Sequence, residues 1–350
     1  MNAEYFLDRG KELVRLLKSR KVHSFLSKNP SLIFHLTGLH ETPGYLLVLN
    51  GEVRFVTDRR FQKEAAEIKH FISSDIFTNS IVTYLKPLRK EFKQPAIEYG
   101  RVTHAEYLSL SESLKCTFTD AGDAVNQFLS VTDGLQLDSF IRAADVTSEL
   151  FNYCKKVFDE NLAITEKELA YELQSILVRN AAQKYSFEPI IAADENSAKP
   201  HHTPSDRNIQ DCKVLLVDLG VIYSGICSDV TRTYIRNHPK AGRIEKIVHN
   251  GFKRVLGKVN AGVKVSELAQ MWKAELEKVN MTHNFTHALG HGLGYEVHQI
   301  PRISEYSKET LKENQIITLE PALYFENEFG YRYECDILVT KDSGINLTVF

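Results

Sequence analysis

Lys213-Val-Leu-Leu-Val-Asp-Leu-Gly-Val-Ile-Tyr-Ser-Gly-Ile-Cys-Ser-Asp-Val-Thr-Arg-Thr-Tyr-Ile235 sets two carboxylates, Asp218 and Asp229, inside apolar, strand-like sequence. The segment reads as a hairpin with Tyr223-Ser224 at its tip. Counting back from that tip, with Ile222 facing Gly225, puts Asp218 directly opposite Asp229. Two carboxylates that close repel each other and are each costly to desolvate, so a cation between them is the natural compensation. Glu320 and Glu334 flank Glu326-Asn-Glu-Phe-Gly330 and are equidistant from Asn327, so a second hairpin would bring a second acidic pair together.

A histidine cluster joins these acids: Thr286-His-Ala-Leu-Gly-His-Gly-Leu-Gly-Tyr-Glu-Val-His298, with Pro200-His-His202 upstream. Neutral imidazole and carboxylate together suit manganese, cobalt, zinc or iron. Four ionised carboxylates are balanced by two divalent cations, whereas a single one leaves surplus negative charge, so the pattern favours a dinuclear site. The glycines around His291 remove side-chain bulk and let the backbone pass close to a ligand or metal.

The rest of the chain frames this site. A chain of 350 residues, 43% hydrophobic, is long enough for two domains with separate cores. Lysine plus arginine (43) nearly balance aspartate plus glutamate (45), so no field favours nucleic acid or an anionic membrane. The N-terminus lacks a basic stretch followed by an apolar core, and no later segment has about 18 uninterrupted apolar residues. The five cysteines are scattered without a C-x-x-C pair. A soluble, cytoplasmic protein with reduced thiols is expected, with no nucleic-acid or membrane partner.

Helical spacing over residues 3–20 is followed by alternating strand sequence and a hairpin at Asn50-Gly51. A loosely patterned stretch then reads as a linker, giving an N-terminal domain at 1–125, a linker at 126–138 and a second domain at 139–350. Thr165-Glu-Lys-Glu168 fits a capping box, and further helices are predicted at 242–258 and 265–279. No repeat is visible in the sequence.

The ordered motifs Phe187-Glu-Pro-Ile-Ile-Ala-Ala, Ser197-Ala-Lys-Pro-His-His, Val217-Asp-Leu-Gly, Ser228-Asp-Val-Thr-Arg-Thr, Gly290-His-Gly-Leu-Gly, Val297-His-Gln-Ile-Pro, Thr318-Leu-Glu-Pro and Gly330-Tyr-Arg-Tyr-Glu-Cys-Asp336 resemble the pita-bread metallopeptidases. That family includes methionine aminopeptidase, aminopeptidase P and Xaa-Pro dipeptidase (prolidase). Phe34-His-Leu-Thr-Gly-Leu, Tyr45-Leu-Leu-Val and Val56-Thr-Asp-Arg-Arg-Phe61 look like the creatinase-type N-terminal domain, which points to the Xaa-Pro branch. The resemblance implies an α+β protein: a pita-bread catalytic domain preceded by a smaller α/β domain. Carried over position by position, the family's metal ligands fall on Asp218, Asp229, His291, Glu320 and Glu334, and the ions would be manganese first, with cobalt, zinc or iron as alternatives. Three departures stand out: Gln299 where an acid is usual, Cys335 where aspartate or asparagine is common, and no basic pattern around Leu129 to Gly134.

The resemblance also implies roles. A water bridging the cations would attack the peptide carbonyl as hydroxide, with Glu320 as its general base. His298 would donate toward the carbonyl oxygen, His201 would meet the scissile nitrogen, His287 would line the substrate side, and Arg332 would orient its neighbours or a substrate carboxylate. His202 is expected to be a supporting or surface residue, and Arg232 to pair with an acid. The substrate would be a proline-containing peptide or dipeptide, and the N-terminal domain would wall the pocket in a homodimer. The alternatives are a methionine-aminopeptidase-like enzyme, an inactive protein-binding relative, or a metal-free creatinase-like hydrolase.

Overall fold

The computed structural model describes residues 3–350, and the chain divides between Leu129 and Ser130 into two compact units. In the first, a mixed sheet runs in the order Ser73–Phe77, Glu52–Asp58, Tyr45–Leu49, Ser24–Ser27, Pro95–Ile97, Thr119–Asp120. Its tight hairpin turns at Asn50-Gly51 as predicted: Leu49 pairs with Glu52, and φ is 52° and 85° at the two turn residues, the left-handed backbone that this turn requires. Helix Ala3–Ser19 buries Phe6, Leu13, Val14 and Leu17, the stripe its helical spacing predicts.

The stretch expected as a linker, 126–138, is largely helical. Gly122–Leu129 is a helix of eight residues, too short for its periodicity to stand out in the sequence. Gly134–Asp159 starts a helix of 26 residues, opened by a capping box between Asp133 and Gln136.

The second unit contains two helix pairs, each with its own apolar core. Helices Gly134–Asp159 and Glu166–Arg179 pack on strands Ile190–Ala193, Val214–Leu219 and Val230–Ile235. Leu169, Leu173 and Leu177, all 0% exposed, form the inward stripe of the second helix, and each contributes roughly 1.5–3 kcal/mol of burial. The Thr165–Glu168 capping box at its start is present. Helices Pro239–Leu256 and Val265–Lys278 pack on a five-stranded sheet in the order Gln299–Ile303, Gly290–Leu293, Ile316–Leu319, Cys335–Val339, Gly344–Asn346. Gly251 lets these two helices approach closely, because a Cβ there would lie 2.3 Å from the Trp272 ring. Two helix pairs thus pack on two sheets, and the whole is α+β. Among the described residues, no helix is long and apolar enough to cross a membrane.

Candidate metal centre

Two hairpins deliver the acids. The first differs from expectation by two residues: it turns at Ser224-Gly225, where φ is 45° and 77°, so Tyr223 pairs with Ile226 and Ile222 with Cys227. In that register Asp218 pairs with Thr231, not with Asp229. Left-handed backbone is needed at both turn positions, and Ser-Gly adopts it more cheaply than Tyr-Ser. A slip of one would have sent Asp229 to the opposite face; a slip of two keeps it diagonal to Asp218 on the same one.

The second hairpin follows its predicted register. Ala322 pairs with Arg332 and Phe325 with Phe329, while below them Leu319 pairs with Cys335. Glu320 and Glu334 therefore face each other between two paired stretches. The histidine strand Gly290–Leu293 lies beside Ile316–Leu319, and a Cβ on Gly290 would sit 2.0 Å from the Thr318 carbonyl oxygen, so glycine permits this approach. The His291 amide donates to Thr318 Oγ1 at 3.1 Å.

Asp229, His291 and Glu334 each offer a ligand atom, all within 4.8 Å of one another. Glu320 borders this group, its Oε1 lying 3.8 Å from His291 Nε2, while Asp229 Oδ2 is 3.6 Å from the same nitrogen. His291 Nδ1–H donates to the Gly292 carbonyl at 3.1 Å, which fixes the tautomer and leaves Nε2 free to ligate. Burial pulls His291 down to about 4, so it is neutral and ligand-competent near pH 7. Asp218 stands outside the group, paired instead with the Arg332 guanidinium.

The electrostatics favour added positive charge. Burial, then the charges of Glu334, Asp218, Asp336 and Glu320, push Asp229 well above the carboxylate range. Burial and Glu334 do the same to Glu320. Glu334 is pushed up to about 7 by burial and Asp218, and Asp218 is raised because burial outweighs its pairing with Arg332. Asp218 Oδ1 is buried without a hydrogen-bond partner, which leaves a lone pair available to a cation. A set of carboxylate oxygens and one imidazole fits divalent transition ions.

A hydrogen-bonded chain backs the acids. Arg332, buried at 3% exposure, donates to Thr231 Oγ1 (2.9 Å), the Tyr324 hydroxyl (2.6 Å) and the Pro200 carbonyl (3.3 Å) besides meeting Asp218. Thr231 Oγ1 donates to Glu334 Oε2 at 2.7 Å. His287 Nδ1–H donates to the Ala288 carbonyl at 2.7 Å and lies 3.4 Å from Glu320 Oε2. Burial pulls His287 down to about 4, so its Nε2 accepts from the Tyr324 hydroxyl at 3.0 Å. His298 stacks obliquely on His291 with ring centres 4.5 Å apart, and burial lowers it too. His201 is exposed and lies near enough to Asp218, His287 and His298 to enter their electrostatic surroundings.

Some of this was not legible in the sequence. Tyr324 and Thr231 connect the arginine to His287 and Glu334, yet nothing in their local pattern distinguishes them from core or strand residues. Asp336 accepts from the Asp229 amide at 3.1 Å, a contact that its place two residues after Glu334 does not reveal. Among the described residues Arg232 pairs with no acidic side chain; it donates to the backbone oxygens of Thr231, Glu334, Thr348 and Phe350.

Residues 138–341 match metallopeptidase family M24, and residues 9–128 match the creatinase/prolidase N-terminal domain. The chain belongs to the M24 metallopeptidases. Within this family, the Xaa-Pro dipeptidase of Pyrococcus horikoshii is 26% identical over 346 residues, spanning 97% of both chains. The crystal structure of an X-Pro aminopeptidase from Thermotoga maritima superposes with a TM-score of 0.87 at 25% identity, over 97% of each chain. An Xaa-Pro dipeptidase from Bacillus anthracis gives a TM-score of 0.91 at 23% identity, covering 100% of this chain and 98% of that one, and so supports the fold. The chain thus carries a pita-bread domain preceded by a creatinase-type N-terminal domain, as the motifs implied, and membership of the M24 family implies divalent metal ions.

Proposed function

We propose that this M24 metallopeptidase is an exopeptidase that hydrolyses the Xaa-Pro bond at the N-terminus of peptides or in dipeptides. The observation that carries the reading is the convergence of Asp229, His291 and Glu334 within 4.8 Å, bordered by Glu320 and Asp218. The presence of a creatinase/prolidase N-terminal domain supports the Xaa-Pro branch.

Asp218, Asp229, His291, Glu320 and Glu334 would hold two divalent cations, manganese first, with cobalt, zinc or iron as alternatives. The ions would supply a hydroxide near neutral pH by lowering the pKa of a shared water. Glu320 would take up the proton, its carboxyl standing at the edge of the cluster with Oε1 3.8 Å from His291 Nε2. His287 lies beside that carboxyl, its Nδ1 3.4 Å from Glu320 Oε2, and lines the substrate side. His298 donates to the carbonyl oxygen as negative charge develops, and His201 serves the scissile nitrogen. Arg332 is committed to Asp218, Thr231 and Tyr324, which supports an orienting role over capture of a substrate carboxylate. The proposed setting is the cytoplasm, consistent with five free cysteines, and the proposed assembly is a homodimer, to be read by size exclusion and dilution assays.

The deciding experiment is a turnover panel of Xaa-Pro dipeptides, Xaa-Pro-Xaa tripeptides and Met-Ala peptides on metal-stripped protein with each metal restored. Xaa-Pro hydrolysis is expected. Cleavage of Met-Ala peptides alone would select the methionine-aminopeptidase reading, and a metal-loaded protein inert toward the whole panel would select the binding module.

A further inference from the structure

We infer that Glu166, a buried carboxylate outside the metal centre, is the positioning residue for His201; the inference rests on the role proposed for His201. Glu166 is 0% exposed and opens helix Glu166–Arg179, whose N-terminal dipole favours an anion. Its Oε1 accepts from the Ala193 amide (2.8 Å) and Asn196 Nδ2 (3.0 Å). Its Oε2 accepts from the Ser205 amide (2.9 Å), Ser205 Oγ (2.6 Å) and His202 Nε2 (2.8 Å). All of these donors come from residues 193–205, the segment that carries His201. Burial pushes Glu166 up, but the hydrogen bonds from Ser205, Ala193, Asn196 and His202 outweigh it and hold the carboxyl below its usual range. As a carboxylate it can only accept, so His202 must donate.

The clamp fixes the residue next to His201. The His202 side chain is drawn in to 8% exposure, while His201 stays exposed. The far side of the same segment is tied to the site: the Gly330 amide donates to Ser197 Oγ at 2.8 Å, and Arg332, which holds Asp218, donates to the Pro200 carbonyl at 3.3 Å. His201 therefore sits between an anchor on the helix and an anchor on the metal-site hairpin. If one anchor is loosened, His201 moves relative to Asp218 without any ligand being touched.

A double-mutant cycle on the metal-loaded enzyme tests this, with Glu166→Gln and His201→Ala alone and together, and with metal content and melting temperature measured alongside turnover. Glu166→Gln is expected to lower kcat about 10- to 100-fold with metal content unchanged, and to add no more than about 2-fold to the loss in His201→Ala. Loss by the same factor in both backgrounds, or wild-type turnover in Glu166→Gln, would overturn the clamp and leave the role of His201 standing. Full activity of His201→Ala would overturn both. If Glu166→Gln does not fold, His202→Leu removes one donor and goes through the same cycle with the same expectations, while His202→Gln keeps a donor and should restore turnover.

Discussion

The Arg332 guanidinium lies among buried carboxylates, and its strongest commitment is to Asp218. Removing one partner of a buried pair leaves the other charge uncompensated, so Arg332→Met should destabilise the metal-free protein by about 3–5 kcal/mol. Urea unfolding reads this directly, and the loss should shrink on metal loading, when cations take over the pairing with Asp218. An unchanged midpoint in the metal-free protein would mean that the pair contributes nothing. Glu320→Ala separates base from ligand. It should cut kcat by about 10²–10⁴-fold in protein that still carries metal, whereas full activity with metal bound would remove the general-base role. Tyr324 shows where residue-level reading stops. Its hydroxyl connects Arg332 to His287, but only because the hairpin returns beside the histidine segment, a proximity no local pattern encodes.

At the scale of elements, the two hairpins had unequal legibility. The Glu320/Glu334 hairpin was readable because the symmetry about Asn327 coincides with the tip; Asn327 itself has φ 59°. The Asp218/Asp229 hairpin departs by two residues from the register symmetric between the acids, because its turn obeys backbone conformation. The side-chain period of two protected the conclusion, since the acids kept a common face. Symmetry between the acids therefore does not reveal Thr231 as the partner of Asp218, nor the hydrogen bond by which it holds Glu334. Gly225 is consequently a register determinant. Gly225→Val places a β-branched residue at φ 77° and should cost about 1–2 kcal/mol. It should also weaken metal affinity by disturbing the Asp218–Asp229 diagonal, as a metal titration would show. Unaltered affinity would place the control of register elsewhere in the hairpin.

Across the whole molecule, the α+β composition was legible from motif order, whereas the paired helix layers were not, because each pair meets its sheet through contacts distant in the sequence. The layers enclose carboxylates whose pKa values are raised, and this sets how stability depends on pH. For Glu334 the folded value is about 7, and unfolded carboxyls titrate near about 4. Between those values this carboxyl holds more protons in the folded state than in the unfolded one, so its contribution to the stability of the metal-free protein falls as pH rises, opposed below about pH 6.5 by His287 and His291, whose folded values near 4 leave them with fewer protons than in the unfolded chain. Asp229, Glu320 and Asp336, raised well above their ordinary values, act in the same direction. Divalent metal replaces those protons as the compensating charge, so the loaded protein should lose this slope and the metal-induced gain in stability should grow from pH 5 to pH 7. Melting curves with chelator and with manganese at both pH values make the comparison. A metal-free protein equally stable at pH 5 and 7 would show that the carboxylates are not protonated together, and the argument for their cation requirement would fail at its first step.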